Sequence, residues 1–203
     1  MSAVIELNEK QERISSNGKT HRPYLFTVKT YDAMIEKGIL TENDQLELLN
    51  GRIIEKMPKG TKHSAYNDAI TRFFYKNADD KCVIRNQNPI RLDDFSEPEP
   101  DIVLAEPPRE KYLERHPGPE DILLIVEIAD STLYFDRDEK GPAYARAGIR
   151  QYLIVNVENR TVEDYRDPSG DGYQTKQTLK TGEKIDLVAF PEIEIPVGDL
   201  LPQ

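Results

Sequence analysis

Pro100-Asp101-Ile102-Val103-Leu104 and, after a polar connection, Ile122-Leu123-Leu124-Ile125-Val126-Glu127-Ile128 decide the reading of this chain. Continuous apolar, β-branched runs of this length suit strands covered on both faces, as in the middle of a mixed or parallel sheet. Each run carries one carboxylate at or near an end. A lone carboxylate there is costly to bury unless it is paired or holds a metal ion. Asp101 and Glu127 are therefore expected on neighbouring strands, converging at one end of the sheet. Lys140, in the charge run Asp136-Arg137-Asp138-Glu139-Lys140, follows closely enough to bring a positive charge or a proton to the same place.

Working outward, Leu46-Glu47-Leu48-Leu49-Asn50-Gly51-Arg52-Ile53-Ile54 reads as a hairpin, because Asn-Gly tolerates the positive φ angles of a two-residue turn. A helix over Tyr31 to Lys37 is expected, capped by Thr30 and stopped at Gly38. A second runs from His63 to about Asn77, with Ala69, Ile70, Phe73 and Phe74 on one face. Val83-Ile84 with Pro89 to Leu92 suggests a bent strand, and Asp93 to Pro100 an acidic loop. Pro107-Pro108 and Pro117-Gly118-Pro119 bracket an exposed connection. Ala129 to Tyr134 reads as a loop, and a helix through Tyr144 ends at Gly148. Strands follow over Gln151 to Asn156, Thr161 to Tyr165 and Tyr173 to Leu179. The order implies an α/β (α+β) fold, with helices flanking a mixed central sheet.

The 203 residues suit one domain, residues 24–203, behind a flexible polar arm, residues 1–23. No apolar run approaches the ~18 residues of a membrane span. The start, Met1 to Glu6, shows no basic segment followed by an apolar block, so no secretory leader is expected and a cytoplasmic protein is the default. The single cysteine, Cys82, cannot form an internal disulfide or a zinc site alone. A net charge of −10 lacks the basic footprint of a protein that grips nucleic acid by its phosphates, although Lys56, Lys59 and Lys62 form a local cluster. No Gly-rich phosphate loop or Gly-x-Ser-x-Gly elbow occurs, which argues against nucleotide hydrolases and α/β-hydrolases.

Asp101 after Pro100, Glu127 in an apolar strand and a downstream lysine resemble the PD-(D/E)XK nuclease superfamily. The chain is more closely similar to a bacterial family of putative restriction endonucleases, Uma-two. The shared pattern is Glu47-Leu48-Leu49-Asn50-Gly51, Pro100-Asp101, Val126-Glu127-Ile128 with Ser131-Thr132, and Lys140 with Tyr144-Ala145-Arg146-Ala147-Gly148 before Gln151-Tyr152. It covers about residues 25 to 200.

The resemblance implies a restriction-endonuclease-like fold and a metal-dependent endonuclease acting on DNA. Asp101 and Glu127 would be metal ligands, with the main-chain carbonyl of Ile128, and Glu47 a third carboxylate. The ion would be Mg²⁺ or Mn²⁺, hard cations that take oxygen ligands and keep several waters. Lys140 would orient or deprotonate the attacking water, or stabilise charge on the phosphate. A homodimer is compatible with a double-strand cutter. The superfamily's lysine position, two residues after Glu127, is Ala129 here, so the role moves to Lys140. Gly141-Pro142 then suggests a helix beginning near Pro142, with Lys140 in the loop before it.

Two other readings remain open from the residues: a DNA- or protein-binding module that keeps the sheet without catalysis, and a structural network pairing the carboxylates with Arg85, Arg91 or Lys140. His63 is a candidate for the site or an ordinary helix-start histidine. Tyr144 reads as core packing.

Overall fold

The longest buried run forms β7 (Ile122–Ala129), which lies inside a six-stranded sheet. The computed structural model describes residues 13–14 and 20–202; of residues 13, 14, 20, 21 and 42 only the backbone is described. Arg13–Ile14 (β1) and Thr20–His21 (β2) pair as a short antiparallel ladder, and the rest of the expected arm up to residue 19 lies outside the described residues. The hairpin strands are β3 (Leu46–Leu49) and β4 (Arg52–Glu55). The main sheet uses β5 (Val83–Asn86), β6 (Ile102–Ala105), β7, β8 (Gln151–Asn156), β9 (Thr161–Ser169) and β10 (Gly172–Lys180). Its order is β10-β9-β8-β7-β6-β5. All neighbours are antiparallel except β7 and β8, so the sheet is mixed.

That one parallel pair requires a crossover connection rather than a hairpin. It is a continuous helical run: α3 (Leu133–Phe135), a π-helical turn over Asp136–Lys140, and α4 (Gly141–Arg146). The helix thus begins well before Pro142, and Lys140 lies inside it rather than in a preceding loop. A proline ring collides with the carbonyl four residues back in a regular α-helix. The wider π turn lies in the preceding residues, with the Gly141 N–H bonded to the Asp136 carbonyl five residues earlier. Gly148, at φ +81°, ends the helix as its composition suggests.

Alternation along β7 divides its side chains between two cores. Leu124, Val126 and Ile128 face α2 (Thr61–Ala78), whose Tyr66, Ile70, Phe74 and Ala78 recur at helical spacing. The C-terminal strands β11 (Lys184–Asp186) and β12 (Glu194–Pro196) add Ile185 and Ile195 to this layer. Ile125 and Ala129 face the crossover helix, packing with Ala143, Tyr144, Tyr152 and Ile154. Glu127 shares their parity and therefore points to the crossover side.

The first helix, α1, is Val28–Glu36, and its cap is Thr27 rather than Thr30: the Thr27 hydroxyl oxygen accepts from the Thr30 N–H at 3.2 Å. Two more expectations need correction. β5 stops at Asn86, because Gln87 takes φ +51°, so Pro89 to Leu92 is irregular chain and not a continued strand. The expected loop at 129–134 is shorter, because Ala129 closes β7 and Leu133 opens α3; after Pro108 the exposed connection forms a 3-10 turn over Arg109–Tyr112. The Asn50-Gly51 turn forms as read, with φ +51° and +74°.

Candidate functional site

Backbone pairing brings the site together from four places in the chain. Ile102 stands opposite Val126, so Asp101, one residue before β6, stands opposite Glu127. The Asp101 N–H donates to Glu127 Oε2 at 3.2 Å, and the Ile128 N–H donates to Asp101 Oδ2 at 2.9 Å. The hairpin is fixed to the loop before β6 by the reciprocal bonds Glu97 N–H to Leu48 O, 2.8 Å, and Gly51 N–H to Phe95 O, 2.7 Å. That docking sets Glu47 where its Oε2 accepts the Glu99 N–H at 2.9 Å. Arg52 of the hairpin pairs with Glu139 of the π turn at 2.5 Å, tying the crossover helix to the same end of the sheet.

Lys140 closes the group. Its ammonium lies 2.9 Å from Glu127 Oε1 and 3.5 Å from Glu47 Oε2. Tyr144, one helical turn on, donates its hydroxyl to the same Glu127 oxygen at 2.7 Å. His63, near the start of α2, places Nε2 3.0 Å from Asp101 Oδ2. Asp136 accepts from the Thr132 hydroxyl at 2.6 Å. Glu47, Asp101, Glu127, Asp136 and Lys140 are all buried, Glu127 to 3 % exposure. They line a cavity of about 360 Å³ together with His63, Lys59 and Glu99. A larger cavity of about 650 Å³ beside α1 shares Glu47, Lys56, Lys59 and Glu99 as a common wall, but it does not reach Asp101, Glu127 or Lys140.

Burial and charge set the protonation of this group. Burial opposes the charge on Lys140, but Glu127, Glu47 and Asp136 together outweigh it and hold the lysine well above its ordinary value. Burial is also the largest influence on Glu127 and pushes its carboxyl up to about 8, against the pull of Lys140. Asp136 rises to about 6 for the same reason. Burial works against Asp101 too, but the bonds from His63 and the Ile128 N–H keep it below the usual carboxylate range. Tyr144 is raised well above its ordinary value by burial beside Glu127, so its hydroxyl stays a donor.

The oxygens of this cluster are the hard donors a divalent ion such as Mg²⁺ accepts, and such an ion keeps much of its water shell. Among the described residues, however, no group of three or more His, Cys, Asp or Glu side chains is arranged to hold a metal ion by itself. The reason is visible in the bonding. Lys140 lies within ion-pair distance of both Glu47 and Glu127, and Asp101 Oδ2 is engaged by two donors. Asp101, Glu127 and added waters make the fitting donor set, with Glu47 at its edge.

The structure brings Glu47, Asp101, Glu127, Ile128 and Lys140 to one cavity, as expected from sequence. Three participants were not anticipated in that role. Tyr144 does pack in the core, edge-on to Tyr152 at 5.0 Å, but its hydroxyl also holds Glu127. Asp136 was part of an apparent solvated charge run. Its signal was the i, i+4 spacing of Thr132, Asp136 and Lys140. Glu99, paired with Lys56 at 2.6 Å, carried no distinguishing pattern. Arg85 and Arg91 do not join the cluster. Arg91 pairs with Glu97 and Asp32, and Arg85 lies over the Tyr112 ring at 5.7 Å.

A search of curated proteins finds no match to this chain. Among solved structures, the chain is similar to a crystal structure described as a putative nuclease belonging to DUF820 from Anabaena variabilis. The TM-score is 0.62 at 20 % identity, covering 81 % of this chain and 94 % of that one. At that identity the likeness concerns the fold, a six-stranded mixed sheet flanked by helices. No helix among the described residues is long and apolar enough to cross a membrane. The family profile Uma2, described as "Putative restriction endonuclease", matches residues 28–198 and so takes in the hairpin, both central strands and the crossover helix: the chain belongs to the Uma2 family.

Proposed function

We propose that this protein is a divalent-metal-dependent endonuclease that hydrolyses DNA phosphodiester bonds at the Glu47, Asp101, Glu127 and Lys140 cluster. The observation that carries this reading is the Lys140 ammonium, buried 2.9 Å from Glu127 beside two further carboxylates. Family membership supports nuclease-like chemistry, and restriction-endonuclease-like families generally use divalent metals. Mg²⁺ or Mn²⁺ held by Asp101 and Glu127, with Glu47 and the Ile128 carbonyl at the edge, would supply positive charge against the phosphate and acidify a water.

The chain's own residues do the rest. Lys140 stays protonated, so it serves as a fixed cation that donates to a phosphate oxygen and not as a base. Tyr144 and the Asp101 N–H fix the Glu127 carboxylate, while His63 and the Ile128 N–H fix Asp101. Water attacks phosphorus, and one phosphorus–oxygen ester bond breaks. One strand end leaves with a phosphate and the other, after taking a proton from solvent, with a hydroxyl; the attacking water's proton goes to solvent. Such an enzyme would work in the cytoplasm, with its DNA.

The test is cleavage of circular DNA, single- and double-stranded, with Mg²⁺ or Mn²⁺ and with chelator. Asp101→Asn and Glu127→Gln should each lower cleavage by about 100-fold or more while remaining folded. Full activity in both variants would refute the assignment. A second reading, a binding module without catalysis, is favoured by the acidic net charge of −10. It predicts DNA or protein binding with no metal-dependent turnover in the unmodified chain.

A further inference from the structure

Helix α2 carries a polar stripe beside its core-facing one. Tyr66, Ile70, Phe74 and Ala78 pack in the core, while His63, Asn67 and Thr71 follow one another at i, i+4 and i+8. At that spacing side chains stand one above another on the helix surface. A polar stripe usually faces solvent, yet His63 and Asn67 are buried, at 8 % and 7 % exposure. The stripe is bonded to the end of β5. Asn67 Nδ2 donates to Asn86 Oδ1 at 3.1 Å, and Asn86 Nδ2 donates to Thr71 Oγ1 at 2.6 Å. The next residue, Gln87, donates its N–H to the Asp101 carbonyl at 2.9 Å. His63 reaches the Asp101 carboxylate itself, Nε2 to Oδ2 at 3.0 Å.

Two atoms of this network have no hydrogen-bond partner among the described residues: Nδ1 of His63 and Oδ1 of Asn67, both shielded from solvent. Buried polar atoms left unpaired are rare, and two on successive turns of one helix face call for a shared partner. Asp101 is held in its ionised form and only accepts, so His63 Nε2 carries the hydrogen of their bond. Nδ1 is then the free end of the ring, and it makes no direct bond to Asn67. One water molecule can serve both atoms, because it brings two donors and two acceptor sites. Turning over both amides reverses the direction of the chain and presents Nδ2 of Asn67 to the histidine; the same water serves that arrangement too.

Resting on the nuclease reading above, we infer that Asn67 is a positioning residue, which holds Nδ1 of His63 through one buried water and so aims Nε2–H at Asp101. Asn86 and Thr71 fix the Asn67 amide in turn. An imidazole held at both nitrogens cannot swing about its Cβ–Cγ bond, whereas one held at Nε2 alone can. The donors from His63 and the Ile128 N–H both fall on Oδ2, which leaves Oδ1 of Asp101 as the oxygen for a cation. Groups behind a metal ligand orient it in this way.

The experiment is nitrogen NMR of the full chain with isotope-labelled histidine, without metal, and calorimetric Mn²⁺ titration of the same proteins. The chain has three histidines, so His63→Ala assigns the signals. In the unmodified protein a cross-peak from a long-lived water to the His63 ring is expected, a readout that needs no variant. Asn67→Leu, close in volume, should abolish that cross-peak and move the His63 Nδ1 resonance; thermal melts check that it folds. Its Mn²⁺ affinity should fall about 10-fold, the low end of the ~10–100-fold carried by groups behind metal ligands. In a His63→Ala background the same substitution should cost no further affinity, because Asn67 acts only through the histidine. No water cross-peak in the unmodified protein, an unmoved Nδ1 resonance in folded Asn67→Leu, or an equal affinity loss with and without His63 overturns the inference and leaves the nuclease reading standing. An unmodified protein that binds no Mn²⁺ counts against the nuclease reading instead, and the two NMR results then decide the inference by themselves.

Discussion

Replacing Lys140 by methionine isolates what the buried ammonium does for stability, since methionine keeps the stem's length and removes only the charge. The ammonium lies 2.9 Å from Glu127 and 3.5 Å from Glu47, and none of the three is more than slightly exposed. At an effective dielectric near 20, one such contact is worth roughly 5 kcal/mol before desolvation is counted. Taking away one partner of a buried pair costs about 3–5 kcal/mol, because the remaining charge has neither cation nor water. For a chain of this size that is a fall in Tm of about 6–20 °C. The sign with pH follows from the carboxyls. Glu127 and Asp136 titrate near 8 and 6, so acid neutralises the groups that need the cation. The deficit in Lys140→Met should therefore be largest near pH 8 and shrink by pH 5. Adding Glu127→Gln to Lys140→Met should recover part of it, a coupling that independent sites would not show. Thermal melts by circular dichroism across that range measure all three proteins. A Lys140→Met protein melting within about 2 °C of wild type at pH 8, or with a deficit independent of pH, would refute the electrostatic account.

Two other perturbations test separate parts of the fold. Asp121 is buried and paired with Lys111 and Arg115; burial opposes its charge, but Arg115, Lys111 and the Gly118 N–H hold its carboxyl down at about 2. A depressed carboxylate contributes stability that is present above its ordinary value, 3.8, and lost as pH falls towards 2. Asp121→Asn should cost on the order of 1 kcal/mol at pH 7, discounted because both cations are partly solvated, and the cost should vanish by about pH 2 in urea titrations. Gly51→Ala should destabilise by more than 1 kcal/mol. Its φ is +74° and an added Cβ would meet Leu25 Cβ at 2.7 Å, so strain and overlap act together. Unchanged urea midpoints would show that the hairpin can shift away from Leu25.

Much of this architecture is legible in local chemistry. The apolar runs at 102–105 and 122–129 dictate buried strands, and the period of two along them puts Asp101 and Glu127 on one face once the strands pair. Asn50-Gly51 can hardly be anything but a hairpin turn, because few other residue pairs accept two positive φ angles. Glu47 is singled out by the family resemblance and Lys140 by its place soon after the second strand, but only tertiary packing decides what surrounds them. Asp136 to Lys140 is an ordinary charge run by composition. It becomes buried because the β7–β8 crossover must lie on the sheet, and because Tyr152, whose hydroxyl donates to the Asp136 carbonyl at 3.1 Å, seats the π turn there. The reach of His63 to Asp101 spans 38 residues and depends on where α2 docks, which no spacing encodes. Tyr144 looks like core because its ring is core; its hydroxyl's partner is a carboxylate from another element. Side-chain alternation and turn chemistry are properties of neighbours in the chain, so the sequence carries them. The charge balance of a buried site is a property of neighbours in space, and it exists only once the sheet, hairpin and crossover helix have closed around it.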